Sequence, residues 1–132
     1  MKFLLDTDIC IYIIKRKPEK VLRRFKSLTP GDVGISSITL AELQYGVEKS
    51  REAAKNREAL EGFLTPLDVA EYDAVAACHY GNIRAELERK GKIIGGNDLF
   101  IASHALALSI PLVTNNVKEF ARVPGLKVEN WV

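Results

Sequence analysis

Three stretches of this chain carry acids where the surrounding residues argue against them. "KFLLDTDICIYIIK" (2–15) is a strongly apolar run broken by Asp6 and Asp8. "SSITLAELQYG" (36–46) holds Glu42, and "IIGGNDLFIASHALAL" (93–108) holds Asp98. A carboxylate without a partner in a hydrophobic segment is costly to bury. A turn into a helix needs one capping acid, so Asp6 and Asp8 together leave one over for chemistry. Asp8 is either that N-cap or a site residue. Thr39-x-x-Glu42 matches a capping box, and Glu42 is either its closing member or an active-site acid. Asn97 or Asp98 could cap the helix that follows. Yet Asp98 stands at the end of an apolar face through Ile101, Ala102 and Ala105, and the glycines before it permit close backbone approach to a ligand. Three such acids in one cleft repel each other and raise one another's pKa. A divalent cation reverses that and keeps them ionised. An all-oxygen donor set without Cys or His suits Mg²⁺ or Mn²⁺ rather than zinc. The chemistry within reach is metal-assisted phosphodiester hydrolysis.

The elements that must position these acids follow from pattern. Short apolar runs at 2–6, 33–36, 65–69, 112–114 and 126–130 predict strands. Helical patterns fall at 8–16, 18–26, 38–49, 52–63, 71–90, 97–109 and 117–121, with Thr7 or Asp8 capping the first. Strands alternating with helices predict an α/β fold, a mostly parallel sheet of four to five strands covered on both faces. Such sheets bind ligands outside the carboxyl ends of their strands. Asp6, Ser36-Ser37 and Thr114-Asn115-Asn116 all fall at that edge.

With 132 residues, 47% of them hydrophobic, the chain reads as one domain over 1–132, able to bury roughly two-thirds of its unfolded surface. The formal charge of +2 does not by itself announce nucleic-acid binding. Asp6 and Asp8 sit where a signal peptide would be uncharged, and no stretch is long enough to span a bilayer. Cys10 and Cys78 read as buried, reduced thiols, which suits the cytoplasm. His79 and His104 read as structural, and Tyr12, Tyr45 and Tyr80 as core or subunit-interface residues. "KRKPEKVLRRFK" (15–26) sets seven basic residues against one acid. Arg16, Arg23 and Arg24 there would contact RNA phosphates or a protein partner.

In the order "LLDTDI", "SSITLAELQYG", "IGGNDLFIASHALAL", "LVTNNVKEF" and "VPGLKVENW", the chain resembles PIN-domain ribonucleases from Met1 to Trp131. Specifically it resembles the VapC toxins of bacterial VapBC toxin–antitoxin pairs. The resemblance implies a PIN-like three-layer α/β/α fold and Mg²⁺- or Mn²⁺-dependent cleavage of RNA, such as tRNA or rRNA, that blocks translation. It implies a cytoplasmic protein of a bacterium or archaeon, neutralised by a VapB-type antitoxin. The homodimer would join the antitoxin in a larger complex that binds operator DNA through the antitoxin, without a membrane partner.

By position, Asp6, Glu42 and Asp98 match the family's acidic triad. Asp6 and Asp98 are the implied metal ligands, with Glu42 the less direct one. Thr7, Ser37 and Thr114 match hydroxyl positions lining the site, and Asp8 and Asn97 stand beside triad members. Asn116 falls where many PIN domains have a fourth acid. That departure implies one firmly held metal, a second arriving only with the RNA phosphate.

Two rival functions share parts of this pattern. "LLDTDI" fits the D-x-D of haloacid-dehalogenase-type phosphatases, but the later lysine and paired-acid motifs of that class are missing. A non-catalytic PIN-like or receiver-like binding module is the other, and an intact acidic triad speaks against it.

Overall fold

The computed structural model describes all residues, Met1–Val132. The strands are β1 (Phe3–Leu5), β2 (Val33–Ser36), β3 (Asp68–Ala70), β4 (Leu112–Val113) and β5 (Val128–Glu129). They form one sheet in the order β3-β2-β1-β4-β5, and every pairing is parallel. Short runs of branched apolar residues suit such strands because both faces are covered. Leu4 and Leu112 point into one core, Leu5 and Val113 into the other, as strand alternation requires.

One face is covered by α1 (Thr7–Lys15), α2 (Glu19–Lys26), α3 (Ser37–Lys49) and α4 (Ala53–Leu64). Their buried residues Ile9, Ile13, Val21, Leu43, Val47, Leu60 and Phe63 pack on Leu5, Val33, Ile35 and Val113. The other face is covered by α5 (Ala74–Arg89), α6 (Gly96–Leu108) and α7 (Val117–Phe120). There Ile83, Leu87, Leu99, Ile101, Ala105 and Phe120 pack on Leu4 and Leu112. The result is the expected three-layer α/β/α arrangement. The chain winds from β1 through β2 to β3 on one side, then returns to place β4 on the other side of β1. That reversal opens a crevice at the carboxyl ends of β1 and β4, where such folds bind ligands.

Several boundaries differ from those predicted. Asp6, not Thr7 or Asp8, is the N-cap of α1, and its side chain accepts from Thr7 N–H. Asp8 lies in the first turn. The cap of α3 is Ser36, whose Oγ accepts from Ile38 N–H at 3.0 Å; the Thr39–Glu42 capping box does not form. β3 begins at Asp68 rather than 65, because Leu67 N–H still donates to Leu64 C=O and finishes the turn after α4. α5 starts at Ala74, behind an Asp73 cap that accepts from Ala76 N–H at 3.0 Å. Cys10 is buried, but Cys78 is exposed on α5; both are free thiols. Tyr45 is 65% exposed and so lies outside the core. No helix is long and apolar enough to cross a membrane.

Candidate active site

Asp6 leaves β1 and is only 5% exposed. Its position is fixed by the sheet itself, since its N–H donates to Val113 C=O at 2.9 Å. Both carboxylate oxygens have partners: Oδ1 accepts from Thr7 N–H at 2.8 Å, and Oδ2 from the Thr114 hydroxyl at 2.7 Å. Thr114 Oγ1 in turn accepts from Asn116 N–H at 3.0 Å. The end of β4 therefore holds the acid at the end of β1.

Glu42 projects from α3. Its Oε1 accepts from the Thr7 hydroxyl at 2.7 Å, and its Oε2 from Asn97 Nδ2 at 3.0 Å. Asn97 and Asp98 stand in the first turn of α6. The neighbouring α7 brings Glu119 onto the same spot. Its Oε1 accepts from Gly95 N–H at 2.8 Å, and its Oε2 from Asn116 Nδ2. Asp98 lies close enough for the two carboxyls to shift each other, Glu119 raising Asp98 and Asp98 lowering Glu119. A Cβ placed on Gly95 would lie 3.6 Å from Asp98 Oδ2 and 3.8 Å from Glu119 Oε1, so glycine keeps the space beside this pair clear.

Glu119 was not anticipated. Asn116 does depart from an acid, but its amide binds Glu119, which restores the charge three residues later. Glu119 thereby brings a further acid to the edge at which Asn116 stands. The signal was Glu119 in "NNVKEF", an ordinary helix acid until α7 folds against Gly95.

The electrostatics match the crowding. Burial, then repulsion from Asp8, pushes the Asp6 carboxyl up to about 7, against the lowering effect of Thr114 and Thr7. Burial also raises Asp98 to about 7, helped by its bond to Glu119 and by the charges on Asp6, Glu119 and Glu42. Asp8 is raised by burial as well. Glu119 also meets a burial penalty, but bonds from Gly95, Asp98 and Asn116 outweigh it and hold its carboxyl below the usual range.

Ser37 makes no hydrogen bond to the acids; its Oγ accepts from Tyr72 N–H at 3.1 Å. Asp8 is a bracing residue, with Oδ1 accepting from Ile9 N–H at 2.7 Å and Oδ2 from Asn115 N–H at 3.1 Å. Both its oxygens are thereby tied to backbone N–H groups of α1 and of the segment after β4. Thr7 bonds both Asp6 and Glu42, Thr114 bonds Asp6 and Asn97 bonds Glu42, whereas Asn116 reaches only Glu119 among the acids. The basic run stays on the surface, with local contacts of its own. Arg16 closes α1 at φ 61°. Arg23 pairs with Glu19 at 3.5 Å, and Arg24 pairs with Glu129 at 3.5 Å while lying over the Phe3 and Trp131 rings.

A hard divalent cation fits the donor chemistry, because the cluster offers only oxygen and crowding raises the Asp6 and Asp98 carboxyls to about 7 for want of positive charge. Asp6 and Glu119 both act on Asp98 through their charges, and Glu42 is held by Thr7 and Asn97. No three His, Cys, Asp or Glu side chains are already close enough to enclose an ion; Mg²⁺ commonly keeps several waters in such open sites.

A parallel sheet of this order with clustered acids at its switch point is the architecture of a nuclease domain, and comparison with known proteins places it. The chain belongs to the PIN-domain family, whose profile matches residues 3–126, and within it to the VapC ribonucleases. It is 51% identical over 131 residues to the tRNA(fMet)-specific endonuclease VapC of Shigella flexneri, covering 99% of this chain and 98% of that one. It is 48% identical over 132 residues to ribonuclease VapC2 of Rickettsia felis, covering 99% of this chain and 98% of that one. In structure it is similar to DNA-bound VapBC from Salmonella typhimurium, with TM-score 0.95 and 49% identity, over 100% of this chain and 99% of that one.

Proposed function

We propose that this single PIN domain is an Mg²⁺- or Mn²⁺-dependent endoribonuclease toxin that cleaves a phosphodiester bond in tRNA and is neutralised by a VapB-type antitoxin. The observation that carries it is the meeting of Asp6, Glu42 and Asp98 from three distant segments, with Asp6 and Asp98 raised to about 7. Asp6 and Asp98 would hold the cation, with Glu119 beside them and Glu42 in support. When bound, it supplies charge stabilisation at the phosphoryl oxygens and an activated water. The chain's own residues supply order. Thr7 N–H and the Thr114 hydroxyl fix both oxygens of Asp6, and the Thr7 hydroxyl and Asn97 fix Glu42, so the acids are oriented before substrate arrives.

tRNA is favoured by the activity named for the relatives at about half identity. The antitoxin is favoured by the VapBC assemblies among the structural relatives. An open cavity of about 270 Å³ between α1, α3 and α4 suits it, lined by Ile11, Ile14, Leu43, Gly46 and Val47, with Glu42 at its polar end. An apolar helix face seated there would reach the acid cluster.

Antitoxin-free protein incubated with total RNA tests the function. Cleavage should require Mg²⁺ or Mn²⁺, stop with chelator, and vanish in Asp6→Asn and Asp98→Asn. Cleavage that survives both substitutions would overturn the mechanism.

A further inference from the structure

Glu42 and Asp98 stand more than fifty residues apart in the chain, on two different helices, so something must set the distance between α3 and α6. The consecutive serines at the start of α3 meet consecutive residues of α6. Ser36 Oγ lies 2.7 Å from His104 Nδ1. Ser37 Oγ accepts from Tyr72 N–H, and the Tyr72 hydroxyl lies 2.6 Å from Ser103 Oγ. Tyr72 also packs edge-on against His104 and Phe100, at 5.3 and 5.4 Å between ring centres.

The protons can be assigned. Ser36 Oγ already accepts from Ile38 N–H, so its own proton is free to go to His104. Burial pushes the His104 imidazole below its ordinary range, against smaller raising effects from Asp73 and the Glu71 backbone, which suits Nδ1 as the acceptor of that proton. His104 is 1% exposed, with Nδ1 held by Ser36. Ser36, Ser103 and Thr39 around it are fully buried, and no buried side-chain polar atom lacks a partner. Apolar packing alone would let the two helices slide. A satisfied polar pair in a dry interior fixes one register.

We propose that Ser36–His104 and Ser37–Tyr72–Ser103 form a two-point clamp that sets the position of Glu42 against Asn97 and Asp98, with His104 as a positioning residue. The proposal rests on the acid cluster being the ribonuclease site. His104 touches none of the acids and acts through the two helices.

The test compares full-length His104→Leu, His104→Asn, Ser36→Ala and Tyr72→Phe with wild type and Asp98→Asn on tRNA, each folded by circular dichroism at the assay temperature. His104→Leu and Ser36→Ala should lower kcat roughly 10- to 100-fold, the range for lost supports of site ligands, with little change in KM. His104→Asn should recover most of that loss, because Asn Oδ1 can take the place of Nδ1. Mn²⁺ alone, followed by electron paramagnetic resonance, should bind more weakly to His104→Leu than to wild type or His104→Asn. Wild-type kcat in folded His104→Leu, or equal rates for the Leu and Asn variants, would overturn the clamp. If His104→Leu does not fold, Tyr72→Phe decides: it removes one hydroxyl, and an unchanged kcat overturns the proposal. Wild-type cleavage by Asp98→Asn would instead overturn the active-site assignment on which the clamp rests.

Discussion

At the scale of single residues, Asp6 and Asp98 connect stability to catalysis through their protons. In the unfolded chain each titrates near 3.8, and in the folded protein each is raised to about 7. Between those values the folded state binds more protons than the unfolded state. Their contribution to stability is therefore present at low pH and falls away as pH rises towards 7. Above that, two charges are forced into a half-buried site beside Glu42 and Glu119. A divalent cation binds the ionised form, so its stabilising effect must grow with pH. Thermal melts with and without Mg²⁺ at about pH 5.5 and about pH 8 check this, with the larger cation-induced rise in Tm expected at the higher pH. Equal rises at both would show that the acids do not share the ion's site. The residues behind this effect were visible in sequence because acids interrupt apolar runs. Glu119 was not, because an acid in a polar stretch carries no such contrast until α7 sets it against Asp98.

At the scale of elements, each acid owes its place to a junction. Asp6 ends β1 and caps α1, Ser36 ends β2 and caps α3, and Gly95 precedes α6 while leaving room beside Asp98 and Glu119. The junctions were legible in outline, since strand-end polar residues before apolar helices mark both the turn and the site. Their details were not. Thr39-x-x-Glu42 has the letters of a capping box, but Ser36 already satisfies the helix end and frees Glu42 to meet Thr7 and Asn97. Ser37 looked like a site hydroxyl because it adjoins the edge; the helix turn instead directs it to Tyr72. Gly95 gives a test at this scale. Its φ of −59° suits alanine, and an added Cβ would make ordinary contacts at 3.6 and 3.8 Å. Gly95→Ala should therefore melt close to wild type while needing several times more Mn²⁺ for half-maximal cleavage, because the methyl group occupies the cleared space. Unchanged metal demand would show that this space is not used.

At the scale of the whole molecule, the 3-2-1-4-5 sheet puts the acids at one edge and divides the helices into a group of four and a group of three. The group of four leaves an apolar opening between α1, α3 and α4, where Ile11 is 37% exposed. The helical segments were visible in the sequence but not the gap between them, which exists only once α4 packs across α1 and α3. Tyr45, with Lys49 Nζ 4.9 Å from its ring centre, stands one turn beyond Glu42 on α3. This exposed stretch of α3 adjoins the same opening. A partner helix seated in the gap would bury Ile11 and Ile14 and cover the route to Glu42, coupling neutralisation to occlusion of the acids. A charged side chain at Ile11 separates binding from catalysis, since burying it unpaired against an apolar helix costs several kcal/mol. Ile11→Glu should therefore cleave tRNA like wild type yet escape inhibition when the cognate antitoxin is added, with weaker capture in a pull-down. Full inhibition of Ile11→Glu would place the antitoxin elsewhere, on a surface that leaves the α1–α3–α4 opening free.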